Sequence, residues 1–288
     1  MNIRYVTLFL NAFLMIVMPV GIAVILTRKF KLDWRLFWIG AATFVISQVM
    51  HIPFNLLITP VFSQFGFISL HPIIQLLIQA AFFGLSAGIF EEYSRYAMYR
   101  WWAKDARSWS RGLLAGVGHG GIEAILFGII ALYQFIQIVI LSSVDVTRVV
   151  PVTQVETVRF QLEAILSMPV YMTLLGALER MFAIPVHLAC SLLVLQAFTR
   201  RKIWWVGLAV LFHAIVDGIA VYAMGSGLSS VTIEALIGIF ALISLVIIFV
   251  LRQPEPDTGI EHDRAPAQIY TPRPIEETEA NLEKTRYQ

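Results

Sequence analysis

The hydrophobic positions of this chain come in long runs, each closed by a short polar or charged segment. Seven runs are long enough to cross a bilayer, which takes about 20 predominantly apolar residues in a helix. They cover residues 5–26, 36–58, 72–99, 112–140, 180–198, 203–224 and 231–251. The pattern predicts an all-α polytopic membrane protein with seven transmembrane helices. The first run is too long, and too poor in leading charge and cleavage-site character, for a signal peptide, so it is taken as a span of the mature chain.

Residues 155–178 fit this scheme least well. They carry Glu156, Arg159 and Glu163, followed by an apolar half containing Pro169. This is the pattern of an interfacial or re-entrant helix, or of an eighth span. Charge chooses between these. The basic clusters at 28–35, 100–111 and 200–202 fall on one side of a seven-span chain, and the uncharged loops 59–71 and 225–230 on the other. The positive-inside rule then places the N-terminus outside and the C-terminus inside, and an eighth span would spoil the alternation. The expected location is the plasma membrane, multi-pass. Residues 1–251 form the expected membrane catalytic domain. Residues 252–288, rich in proline and glutamate, read as a disordered cytoplasmic tail.

Composition agrees with the pattern. Of 288 residues 58% are hydrophobic and 14% charged, where a soluble protein carries about a quarter charged. The single cysteine, Cys190, excludes an intramolecular disulfide and reads as a small buried thiol. Nothing points to nucleic acid; the partners expected are the lipid bilayer and a membrane protein or peptide substrate.

Ionisable groups inside spans are costly, so each is a functional candidate. The third span carries Glu91, Glu92 and Arg95, the fourth His119 and Glu123, the fifth Glu179 and His187, and the sixth His213 and Asp217. Counting in from the basic clusters, Glu92 is 8 residues from Arg100, His119 is 8 from Arg111, His213 is 11 from Lys202 and His187 is 13 from Arg200. At about 1.5 Å per residue, four helices bring an acid or an imidazole to similar depth. Glu91 and Arg95 are i,i+4 while Glu92 and Arg95 are i,i+3, so either glutamate can pair with the arginine and leave the other to face a cavity. Glycines 116, 118, 120 and 121 surround His119. Small residues permit close helix contact, here expected against the third span, with room left for a substrate chain.

Histidines and a glutamate at matched depth can hold a divalent metal. They can equally activate a water directly, with Glu92 as general base. The nucleophile so formed would attack a peptide carbonyl while a histidine or a metal stabilises the oxyanion. The H-E-x-x-H spacing of zinc peptidases and the G-x-S-x-G elbow of serine hydrolases are both missing.

The blocks EEYSRYAMYR (91–100), GVGHGGIEA (116–124), ERMFAIPVHLA (179–189) and HAIVDG (213–218) resemble the YhfC family of intramembrane peptidases. More distantly they are similar to the CAAX-processing and bacteriocin-processing membrane proteases. The resemblance implies a glutamate-dependent or metal-dependent intramembrane protease. Glu91 and Glu92 would supply the base, and His119, His187 and His213 would complete the site, holding Zn2+ or another divalent metal if one is used. Arg95, Glu123, Glu179 and Asp217 would support them. The wider group's E-E-x-x-x-R is here E-E-x-x-R, and its usual closing asparagine is Asp217. Both departures weaken any inference of a prenylated substrate and leave the metal question open.

Other polar residues fit plainer roles. His51 is expected to be structural, Glu234 interfacial, and Trp101, Trp102, Trp204 and Trp205 belt anchors at the inner face. Glu179 and Arg180 equally suit an interface anchor. The competing function is a proton- or cation-coupled transporter using the buried Glu/His/Asp groups. It predicts internal repeats, which are not evident by eye, and a site near the midplane.

Overall fold

The computed structural model describes residues 3–64 and 66–255, so the tail expected from 252 onward lies, but for its first four residues, outside the described residues. The chain is a polytopic all-α membrane protein. Its helices are α1 (Ile3–Phe30), α2 (Arg35–Ile58), α3 (Pro72–Ala97), α4 (Trp109–Ser143), α5 (Val155–Ser167), α6 (Leu175–Thr199), α7 (Trp204–Gly225) and α8 (Ser230–Val250). Among the described residues, seven of these are long and apolar enough to cross a membrane, and α5 is not one of them. Together they form a compact unit over Met1–Pro254.

Local chemistry sets the helix ends. The side chains of Ser108 and Ser229 accept hydrogen bonds from the amides of Arg111 and Thr232, capping α4 and α8. His71 caps α3, with Pro72 at its first position. At the far end α3 passes into a π turn, Met98–Trp102, closed by Ala103 N–H to Met98 O at 2.9 Å. Residues 155–178 are not one element. Pro169 forces Met168 out of helical geometry, to ψ 152°, so α5 stops after 13 residues and a 3-10 turn, Val170–Leu174, leads into α6. The fifth span therefore starts at Leu175 rather than 180, and Glu179 and Arg180 lie in its second turn.

Large apolar side chains such as Leu56, Leu57 and Val250 cover the outer surface, while Glu91, Glu92, Arg95, His119, His187 and His213 are buried. This inversion of a soluble fold is what a lipid solvent demands. Helix association then relies on close packing rather than on excluding water. α3 lies along α7, and α4 contacts α1, α2 and α6. The glycines near His119 are filled from those neighbours and not from α3. A Cβ on Gly118 would come within 2.9 Å of the Phe37 Cα, one on Gly116 within 3.1 Å of the Leu188 Cα, and one on Gly120 within 2.6 Å of the His187 ring. They leave no room for a substrate chain, because the helix pairs themselves occupy it. Gly118→Ala should therefore lower the thermal midpoint in detergent, at an overpacking cost of about 1–3 kcal/mol. Gly207→Ala, with nothing within 4 Å of the new methyl, should leave it unchanged.

A buried cluster including Phe37, Met98, Tyr99, Leu114, Leu192, Leu195 and Trp205 fills the end of the bundle nearest the 100–111 and 200–202 segments. Trp101, Trp102 and Trp204 are exposed, as belt residues should be. Trp205 is instead buried, stacked on Trp204 and beneath the Arg200 guanidinium, because it falls on the inner face of α7.

Candidate functional site

The buried acids and histidines meet around one atom. Glu91 Oε2 lies 3.1 Å from His119 Nε2, 3.8 Å from His187 Nδ1, 3.8 Å from His213 Nε2 and 3.7 Å from an Arg95 nitrogen. Ring centroids of His119 and His187 are 5.7 Å apart, and those of His187 and His213 are 5.5 Å apart. Helices α3, α4, α6 and α7 thus contribute to a single cluster. The matched depths were the signal for it, and the contacts realise it.

The two adjacent glutamates divide their roles by the i,i+3 alternative. Glu92 is fully buried, ion-paired to Arg95, and accepts from His213 Nδ1 at 2.6 Å. Glu91 faces a cavity of about 100 Å³ that is also lined by Glu123, Glu179, Arg180, His187, His213 and Asp217. That is space for a few water molecules. The reading of Glu92 as the cavity-facing base is corrected here. Its helix angle turns it toward Arg95 and α7, and the carboxylate in the cavity wall is that of Glu91. His119 and Arg95, both fully buried, stand behind Glu91 and do not line the cavity.

The cavity extends from the cluster toward the first turns of α6 (Glu179, Arg180, Ala183) and the late turns of α7 (Asp217, Ala220). This leads away from the basic 100–111 and 200–202 segments, and the expected opening toward that half is not what the packing makes. The apolar plug of Tyr99, Leu114, Leu192 and Leu195 occupies it, tied across by Tyr99 Oη and Ser191 Oγ at 2.7 Å.

Hydrogen-bond bookkeeping fixes what each ring presents. The single Thr43 hydroxyl proton goes to Gly40 O at 2.5 Å. Thr43 Oγ1 must then accept from His119 Nδ1, 3.1 Å away, which leaves a lone pair on His119 Nε2. His213 donates from Nδ1 to Glu92, and its Nε2 faces Glu91 at 3.8 Å and Asp217 at 3.5 Å. Arginine only donates. His187 Nδ1 therefore accepts from Arg95 Nη2 at 2.7 Å, and its Nε2–H donates to Glu123 at 2.6 Å. The open lone pair on His119 Nε2 is aimed at a carboxylate oxygen, and a proton or a cation between the two would satisfy both.

Two donor sets among the described residues have ligand atoms within 4.8 Å of one another: Glu91 with His119 and His187, and Glu92 with Cys190 and His213. The three histidines expected as one ligand set are thus split, since α7 carries His213 to the Glu92 side. The first set fits a divalent cation better. Its Glu91 charge faces the open Nε2 of His119, and His187 Nδ1 would exchange its Arg95 donor for the ion, whereas Glu92 is already balanced by Arg95 and Cys190 is a buried free cysteine.

Three partners went unrecognised in the sequence. Gln48 donates to Glu91 Oε1 at 3.0 Å, and Thr43 orients His119. Arg180 pairs with Glu123 at 2.6 Å and also with Glu179. Gln48 and Thr43 are neutral residues in a long apolar run, so no charge flagged them. His51 is structural, bonded to Ser86 at 3.0 Å and Asn55 at 2.8 Å and stacked on Phe90, joining α2 to α3.

A family model described as YhfC intramembrane metalloprotease matches residues 14–240. The chain is 31% identical over 244 residues to a protein of Bacillus subtilis (strain 168) named "Uncharacterized membrane protein YhfC", covering 83% of this chain and 93% of that one. No solved structure matches the chain.

Proposed function

The chain belongs to the YhfC family, and from that premise we propose that it is an intramembrane endopeptidase, cleaving peptide bonds of membrane-embedded or membrane-proximal substrates. The observation that supports this is the Glu91 carboxylate, set on the wall of a small cavity with imidazole nitrogens directed at it. Ion passage needs exchangeable ligands along a path. Hydrolysis needs a base beside one water-sized pocket and positive charge near it, and Glu91 in the cavity wall with Arg95 3.7 Å away supports that reading.

In this reading Glu91 removes a proton from a water held in the cavity. Gln48, donating to Glu91 Oε1, leaves Oε2 as the basic atom. The water oxygen attacks the substrate carbonyl, and Glu91 returns the proton to the departing amine. Arg180 is the one cationic side chain in the cavity wall and stabilises the developing oxyanion. Glu92 fixes the His213 ring, and Arg95 and Glu123 hold His187 from its two nitrogens. If a metal is used, Glu91 would instead be a ligand, and with His119 and His187 would hold a divalent cation such as Zn2+, which when bound supplies Lewis-acid polarisation of a carbonyl.

The test is purified protein, assayed on a membrane-peptide library with and without chelator, alongside direct measurement of bound metal. Cleavage lost with chelator and restored by zinc identifies a metalloenzyme. Cleavage insensitive to chelator, with no bound metal, identifies direct glutamate chemistry. Solute flux in proteoliposomes without any cleavage would replace the reading with transport.

The proposed topology has the N-terminus outside, the described C-terminal end inside, α5 lying at the outer interface, and the protein in the plasma membrane. Reporter fusions at 105, 150, 201 and 228 should read in, out, in, out. An inside signal at 150 would overturn the placement of α5.

A further inference from the structure

Glu234 has no part in the site just described, yet it is 8% exposed and its Oε2 is buried without a hydrogen-bond partner among the described residues. It sits in the wall of a separate groove of about 930 Å³ between α6 and α8. The rest of that wall is almost wholly apolar, including Leu178, Phe182, Leu242 and Leu245. The nearest cation on α6, Arg180, is committed to Glu123 and Glu179. A buried carboxyl left unsatisfied is costly, so a donor belongs in the groove.

The dimensions say what kind of molecule brings it. On α8 the lining runs from Val231 to Leu245, a rise of roughly 21 Å along the helix. It begins one residue into α8, Ser230–Val250. On α6 it runs from Leu174 and Leu175, where the helix starts, to Pro185. The groove therefore starts at one end of the bundle, takes in the first two thirds of α8 and less than half of α6, and stops short of the other end. Half of a bilayer of about 40–45 Å, headgroups included, is the same length. A partner's transmembrane helix would need the full thickness. A lipid of one leaflet needs only this. Glu234, four residues into α8 and so roughly 6 Å from its start, stands at headgroup depth, with the half-exposed Tyr171 at the same end.

We propose that this groove is a binding site for an aminolipid of that leaflet, its acyl chains along α6 and α8 and its ammonium group donating to Glu234. The charge selects the head: an ethanolamine ammonium can both donate to and neutralise a carboxylate, whereas a choline has no N–H and a glycerol head carries no cation.

Native mass spectrometry of the protein in detergent tests this, after addition of phosphatidylethanolamine, phosphatidylcholine or phosphatidylglycerol with matched chains. Wild type should retain phosphatidylethanolamine about tenfold better than the other two, the order expected of one charge-assisted hydrogen bond. Glu234→Leu removes the buried carboxyl without opening a void, so it should fold normally and lose that preference. Gly238→Leu, which adds bulk against Phe182, should reduce retention of all three lipids. Equal retention by wild type would overturn the proposal, and so would an unchanged preference in Glu234→Leu. A peptide helix displacing every lipid from the wild type would also overturn it, in favour of a protein partner. The readout is occupancy rather than cleavage, so its failure is separable from failure of the peptidase reading.

Discussion

Glu91→Gln should reduce peptide cleavage by about 10²–10⁴-fold, the usual loss for a positioned general base, while the bundle stays as stable as wild type. The reason is in the contacts. A glutamine at 91 keeps its carbonyl oxygen for Gln48, 3.0 Å from Oε1, and turns its amide toward the His119 Nε2 lone pair, 3.1 Å from Oε2. The Gln48 hydrogen bond survives, the amide adds one to His119 Nε2, and only the basicity is lost. The assay is cleavage of a membrane peptide by purified variant and wild type, with thermal midpoints measured on the same samples. Full cleavage by Glu91→Gln would remove Glu91 as the base. Glu92→Gln should behave in the opposite way, losing stability first, because it leaves Arg95 buried without its closest counter-charge.

The largest loss of stability is expected at Arg95. The side chain is fully buried among Glu92, Glu91 and His187. Removing one partner of a buried pair typically costs about 3–5 kcal/mol, because the other charge is left uncompensated. Arg95→Leu should therefore unfold well below wild type in detergent. The double variant Arg95→Leu/Glu92→Gln, which removes both charges, should regain much of the loss. A single variant as stable as wild type would show that the pair carries little. If the double variant is worse than the sum of the two singles, His187 rather than Glu92 is the partner that matters.

The sequence by itself determined the class of the molecule and which buried groups meet in one cluster. Runs of about 20 apolar residues have no stable alternative to helices in lipid, since every backbone amide must be satisfied within its own segment. The seven spans were therefore legible. So was the cluster: Glu91, Glu92, Arg95, His119, His187 and His213 are expensive in a bilayer, and distance along a rigid helix converts directly into depth. Rotation is what a linear pattern cannot carry. Both i,i+3 and i,i+4 spacings reach Arg95, and only the packing of α3 along α7 decided that Glu92 takes it and Glu91 lines the cavity. The same holds for Gly118 and Gly120, whose small size was visible but whose neighbours, Phe37 and His187, are set by which helices cross. The direction of the cavity follows likewise. Charge in the loops pointed to one half of the bundle, but the side chains of Tyr99, Leu114, Leu192 and Leu195 fill that half. Depth is a property of one helix, written in its sequence; facing is a property of helix pairs, and only the assembled bundle contains it.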